Sequence, residues 1–184
     1  MGQPNTKVPA SPTKQCGGGH IIAYAGLTCR GLTQLFFVNS RESINQHFYI
    51  NEMLPNYLSA AKELYGMDWR KVKLQEDGAS AHKAKACGAW MKDNWPGDVL
   101  LDHDTKYFHW PGNSTDLNPI EYVWSLLKDR LNSSGHHTNL KQLKLNAVRI
   151  WRDINAKQEW KPIIESFPNR LKEVRELEGR YTTY

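Results

Sequence analysis

Two acidic side chains in this chain stand where a carboxylate can do more than solvate a surface: Asp77 and Glu121. Asp77 closes the apolar-containing run 72–76 and precedes Gly78. A carboxylate at the end of a strand, beside a residue that permits a tight turn, is a common seat for a hard cation such as Mg²⁺, which binds through oxygen. Asp-Gly is also the ordinary chemistry of an Asx-turn after a strand, and locally both readings stand. Glu121 has its own structural alternative. Asn118 suits a helix N-cap, Pro119 the first helical position and Glu121 the third, so the spacing predicts a capping box. The helix dipole favours a negative charge there, and a first-turn carboxylate held in this way can still face a cleft.

Other constellations are weaker. His136-His137 sits in a Gly/Ser/Asn loop, where adjacent imidazoles are solvated rather than metal-bound. His82 and Cys87 fall five apart on one expected helix, with no nucleophile–base–orienter set around them, so Cys87 reads as core. The seven tryptophans could stack bases, but most fall at helical apolar positions and read as packing. Lys83 and Lys85, and Lys128 with Arg130, flank the two carboxylates and could contact phosphates; solvated helix faces explain them equally well.

The elements that must position these groups follow from periodicity. The runs 20–27 and 32–38 are apolar and β-compatible, and the turn at Cys29-Arg30-Gly31 makes them a hairpin. From 43 to 65 the apolar spacing is helical, with Pro55 a kink or boundary and Gly66 the stop. A short strand is expected at 72–76, a helix at 82–95 and a further strand at 106–110. Ile120, Val123, Trp124, Leu127 and Leu131 make one apolar helix face. Helices at 138–156 and 158–177 complete the chain, the last split near Phe167-Pro168. Strands first, then a strand–helix–strand unit, then helices, describe an α/β or α+β sheet flanked by helices.

Composition sets outer bounds. The chain has 184 residues, enough for one domain with a core, and 40% hydrophobic against 23% charged residues makes it globular. A net charge of +5 is compatible with a polyanionic partner without requiring one. Three cysteines, Cys16, Cys29 and Cys87, with no CxxC pair, argue against a disulfide framework or a structural zinc site. The N-terminus has no apolar core of a signal peptide, and no segment reaches transmembrane length. Residues 1–16 carry three of the nine prolines and read as an extended arm, with the domain at 17–184.

The segment Trp110-Pro111-Gly112-Asn113-Ser114-Thr115-Asp116-Leu117-Asn118-Pro119-Ile120-Glu121-Tyr122-Val123-Trp124 resembles the W-P-x-S-P-D-L-N-P-I-E-x-x-W segment of Tc1/mariner transposases. Asp77-Gly78-Ala79-Ser80-Ala81-His82 is similar to the family's Q-D-N-A-P-x-H. Gly17-Gly18-Gly19 before a strand and the terminal Pro168-Asn169-Arg170-Leu171 extend the resemblance over most of the chain. It implies an RNase H-like α/β fold, a central mixed β-sheet flanked by helices with a helical C-terminal part. It implies DNA strand cleavage and transfer in the nucleus with Mg²⁺ or Mn²⁺, Asp77 and Glu121 being two of three carboxylates. DNA is the implied partner, no membrane is involved, and a homodimer is one assembly it allows.

Three departures from the family pattern bear on activity. The interval 78–120 is longer than usual, with the extra length near 94–106, where Pro96-Gly97 and Asp98, Asp102 and Asp104 resemble a surface insertion. Gly78 and Ser80 replace the family's Asn and Pro. Residues 1–67 contain no Asp, and Glu42 is the first acidic residue, after the second strand-like run. Two divalent ions roughly 3.5–4 Å apart need several carboxylates to offset their repulsion. The expectation is therefore an N-terminally truncated transposase domain, inactive alone, with weak metal binding. A non-catalytic nucleic-acid-binding or structural module derived from a transposase is the alternative.

Overall fold

The computed structural model describes residues 21–39, 42–76, 79, 81–95, 117–135 and 137–177. Its middle layer is the expected hairpin. β1 (Ile22–Tyr24) pairs antiparallel with β4 (Phe36–Val38), and β2 (Leu27–Thr28) with β3 (Gly31–Leu32). Tyr24 stands opposite Phe36 but Leu27 opposite Leu32, so the register slips by one residue between the pairs. The slip is a bulge, which Thr33 bridges. Its N–H donates to Gly26 O at 2.9 Å, and its hydroxyl oxygen accepts the Gly26 N–H at 2.7 Å. At the tip Gly31 has φ +135°, and a Cβ there would lie 2.9 Å from Asn155 Oδ1. That oxygen accepts the Leu32 N–H at 2.9 Å, so only glycine fits both the turn and its anchor.

Alternate hairpin residues face opposite helical layers, as the strand period of two requires. Tyr24 and Val38 pack with Tyr49, Met53, Leu54 and Cys87 on one side. Ala25, Leu32 and Leu35 pack with Val123, Leu127, Trp151 and Ile154 on the other. This is the expected α/β layering. Among the described residues both strand pairs are antiparallel. The expected strand at 72–76 is an extended segment with a single bridge residue, Leu74.

The first layer begins with α1 (Gln46–Phe48), capped by Asn45, whose side chain accepts the His47 and Phe48 N–H groups. A π-turn, Tyr49–Met53, joins it to α2 (Leu54–Tyr65). Pro55 therefore does not end the helix. It is the second residue of α2, directly after the wider π-turn, which lets the helix run on without a Pro55 N–H. Gly66 stops α2 at φ 54°, as expected. A short 3₁₀ turn, Gly66–Lys71, follows. α3 (Lys85–Asn94) is shorter than its sequence predicts. Ala81–Lys83 form a turn before it, so His82 and Cys87 do not share a helix.

The second layer is α4 (Ile120–Ser133), α5 (Leu140–Ala156) and α6 (Lys161–Glu176). Val123 and Ile154 are 0% exposed, and each such side chain stabilises the fold by about 1.5–3 kcal/mol. Trp124 stacks on Trp151 at 4.9 Å, and the Trp151 indole N–H donates to Thr33 O at 2.8 Å. The split expected at Pro168 does not occur, and α6 runs through it. Pro168 removes one backbone donor, while the turns on either side keep theirs. Arg170 Nε also donates to Ser166 Oγ at 3.2 Å across the proline.

The arm at 1–16, the insertion beyond Trp95, the strand at 106–110 and Asp77 itself lie outside the described residues. Among the described residues no helix is long and apolar enough to cross a membrane.

Candidate active site

Glu121 lies in the first turn of α4, as the sequence predicts, but not in a capping box. The helix opens on Pro119, whose φ −58° and ψ −26° are already helical, and no side chain caps it. The Glu121 N–H, the amide an Asn118 side chain would accept, donates instead to the Asn118 carbonyl at 3.0 Å. The tight first turn occupies the donor that the box requires. Among the described residues, no hydrogen bond or ion pair engages the Glu121 carboxylate. It lines a cleft of about 950 Å³ between the hairpin, α2, the extended segment and the head of α4.

Glu76, the described neighbour of Asp77, lines the same cleft, as do Gln75 and His82. Packing of Val72 and Leu74 on the first layer and several side-chain hydrogen bonds hold this side of the cleft. Gln75 Nε2 donates to Leu117 O at 2.9 Å, linking the approach to Asp77 with the approach to Glu121. The Trp95 indole N–H donates to Val72 O at 2.9 Å. The buried Cys87 thiol donates to Ala81 O at 3.0 Å. Burial pushes the Cys87 thiol pKa up, and the nearby negative charge of Glu76 adds to the rise. This is the inert core cysteine that the sequence suggests. His82 packs on the Tyr49 ring at 4.3 Å.

The expected phosphate contacts divide. Lys83, Lys85 and Lys128 are exposed. Lys128 lies seven residues after Glu121, on the same helix face and about 10 Å along the axis. Arg130 lies nine residues on, which rotates it to the opposite face. There it is half-buried and paired with Glu159 and, at 3.5 Å, with Asp153. Its guanidinium ties α4 to α5 and to the turn before α6, rather than standing ready for a phosphate. Asp153 also takes Lys157 at 3.0 Å, a hydrogen bond that holds its carboxyl below the usual range, with Arg130 helping.

Glu121 offers a hard cation the right donor type. Among the described residues no group of three or more His, Cys, Asp or Glu side chains gathers to hold a metal. His137 is instead engaged by Asn146, whose Nδ2 lies 2.9 Å from its Nε2; His136 lies outside the described residues. The two residues missed in the sequence are Gln75 and Asn155. Each acts through a partner distant in the chain, and neither carries a local signal.

Comparison with known proteins matches residues 2–144 to the DDE superfamily endonuclease family. The transposase of transposable element Tc3 from Caenorhabditis elegans is 25% identical over 169 residues, covering 91% of this chain and 47% of that protein. The Tc1 transposase from the same organism is 27% identical over 175 residues, covering 94% and 58%. The chain thus spans about half the length of the curated relatives it matches. Among solved structures, the Mos1 transposase catalytic domain with raltegravir and Mn superposes with a TM-score of 0.70 at 16% identity, covering 88% of this chain and 77% of that one. The likeness establishes an RNase H-like fold.

Proposed function

Because the chain belongs to the DDE superfamily endonuclease family, we propose that it is a Tc1/mariner-type transposase catalytic domain, shaped for metal-dependent cleavage and transfer of DNA strands and inactive on its own. The observation that carries the reading is the Gln75–Leu117 hydrogen bond. It fastens the segment that leads into Asp77 to the segment that leads into Glu121, beside one cleft. Asp77 and Glu121 would hold the divalent metal, Mg²⁺ or Mn²⁺, which would supply activation of an attacking water or 3′-hydroxyl and stabilisation of the leaving oxygen. The chain's own part is to supply oxygen donors, to exclude bulk water with the hairpin and α2 walls, and to meet phosphates with Lys83, Lys85 and Lys128. With no Asp in residues 1–67, donors are too few and metal binding is weak. The work belongs to the nucleus, and a homodimer is the assembly to test.

A second reading has its own support. The same shortage of carboxylates suits a non-catalytic DNA-binding module, whose binding is largely independent of sequence and falls steeply with salt. Titration with Mn²⁺ separates the two readings, since binding that needs both Asp77 and Glu121 belongs to the first alone; nicking of supercoiled plasmid in Mg²⁺ or Mn²⁺, run beside Asp77→Ala and Glu121→Ala, tests the inactivity. The expected result is no nicking above background by the 184-residue chain. Robust nicking lost in both variants would show the domain to be competent as it stands.

A further inference from the structure

The outer face of α5 carries charge that the cleft does not use. At 100° per residue, Lys141, Lys144, Arg149 and Arg152 fall within an arc of about 140° and span about 16 Å. No acidic residue occurs from 130 to 152. Among the described residues none of the four cations is in an ion pair. The next carboxylate, Asp153, is bonded to Lys157 and Arg130. None of these four side chains lines the cleft.

Two of the cations are held in place. Arg149 Nε and Nη2 both donate to Asn146 Oδ1, at 3.2 and 2.8 Å, which fixes the plane of the guanidinium. Lys144 Nζ sits 5.3 Å from the centre of the Phe37 ring. Beside Arg149 opens a small polar pocket of about 390 Å³, lined by Ser134, His137, Gln142 and Asn146. Hydroxyl, imidazole and amide groups of this kind are the usual companions of Arg and Lys around phosphate oxygens.

We propose that this face of α5 is a second docking surface, separate from the cleft, for the phosphate backbone of duplex DNA. The inference rests on the reading of the chain as a DNA-acting domain. The duplex is favoured over a single strand because, among the described residues, the aromatic rings at this face are taken up: Phe37 lies beneath Lys144, and Trp151 is buried against Thr33 and Trp124. DNA is favoured over an acidic protein because, among the described residues, the face has one exposed large apolar side chain, Leu145 at 63%, and no aromatic cluster to anchor an interface. Such a surface holds a duplex in register while the cleft addresses one of its bonds.

The test is fluorescence anisotropy of a labelled duplex of arbitrary sequence, titrated with the full chain over a salt series. The combined variant Lys141→Gln, Lys144→Gln, Arg149→Gln and Arg152→Gln is expected to bind about tenfold or more weakly, and its log–log salt slope to flatten by about 3–4. The pair Lys141→Gln and Arg152→Gln removes no contact described above, guards against misfolding, and is expected to flatten the slope by about 2. Circular dichroism should match the parent in both. Unchanged binding in the α5 variants, with loss in Lys83→Gln, Lys85→Gln and Lys128→Gln, overturns this inference alone. No duplex binding by the parent at low salt overturns the DNA reading with it. Equal competition by polyglutamate overturns the choice of DNA as the occupant.

Discussion

The segment that precedes Asp77 and the helix that carries Glu121 are held by different physics. Glu121 rides on α4, whose inner face is buried against the hairpin and α5 through Val123, Leu127, Trp151 and Ile154. Its position follows from helix register and close packing. The segment leading to Asp77 has no regular element to ride on. From Val72 to Glu76 it has a single bridge residue, Leu74; Val72 and Leu74 pack against the first layer, and side-chain hydrogen bonds from Gln75 to Leu117 and from Trp95 to Val72 tie it down. A packed helix spreads its stability over many contacts, so one change weakens the whole domain. A pinned segment concentrates it, so one change moves the site and leaves the domain standing.

The largest expected effect breaks the packed side. Trp151→Ala removes the stack on Trp124 and the bond to Thr33 O, and should cost about 3–5 kcal/mol of folding stability in chemical denaturation. A loss below about 1 kcal/mol would mean that α5 is not the support of α4 described here. The smaller effect sharpens the contrast. Gln75→Ala should cost only about 1 kcal/mol, since the bond it removes is partly exposed. Hydrogen exchange should nonetheless rise in residues 72–76 while α4 and α5 stay protected. Equal loosening of both sides would erase the distinction.

What the sequence made legible follows the same line. The hairpin is readable because two apolar, β-compatible runs, 20–27 and 32–38, flank a turn that contains Gly31. α4 was readable because Ile120, Val123, Trp124, Leu127 and Leu131 keep one helical stripe. Both signals are local and periodic. Pro168 misled because a proline removes one donor without deciding whether its neighbours hold the helix, and here α6 continues. The capping box at Glu121 failed because the Asn118 carbonyl takes the amide first. Arg130 looked like a phosphate contact by type, but nine residues of helix turn it away from Glu121 and toward Glu159. Asn155 and Gln75 could not be found at all, since their partners Leu32 and Leu117 are far along the chain and only the fold brings them near.

The central claim is that Asp77 and Glu121 serve one metal site. Calorimetric titration of Mn²⁺ into the full chain, into Asp77→Asn and into Glu121→Gln tests it most directly. The account predicts weak binding by the parent that disappears in each single variant, with the folded state unchanged. Binding that survives in both variants, or that is lost in only one of them, would contradict a site shared between the extended segment and the head of α4.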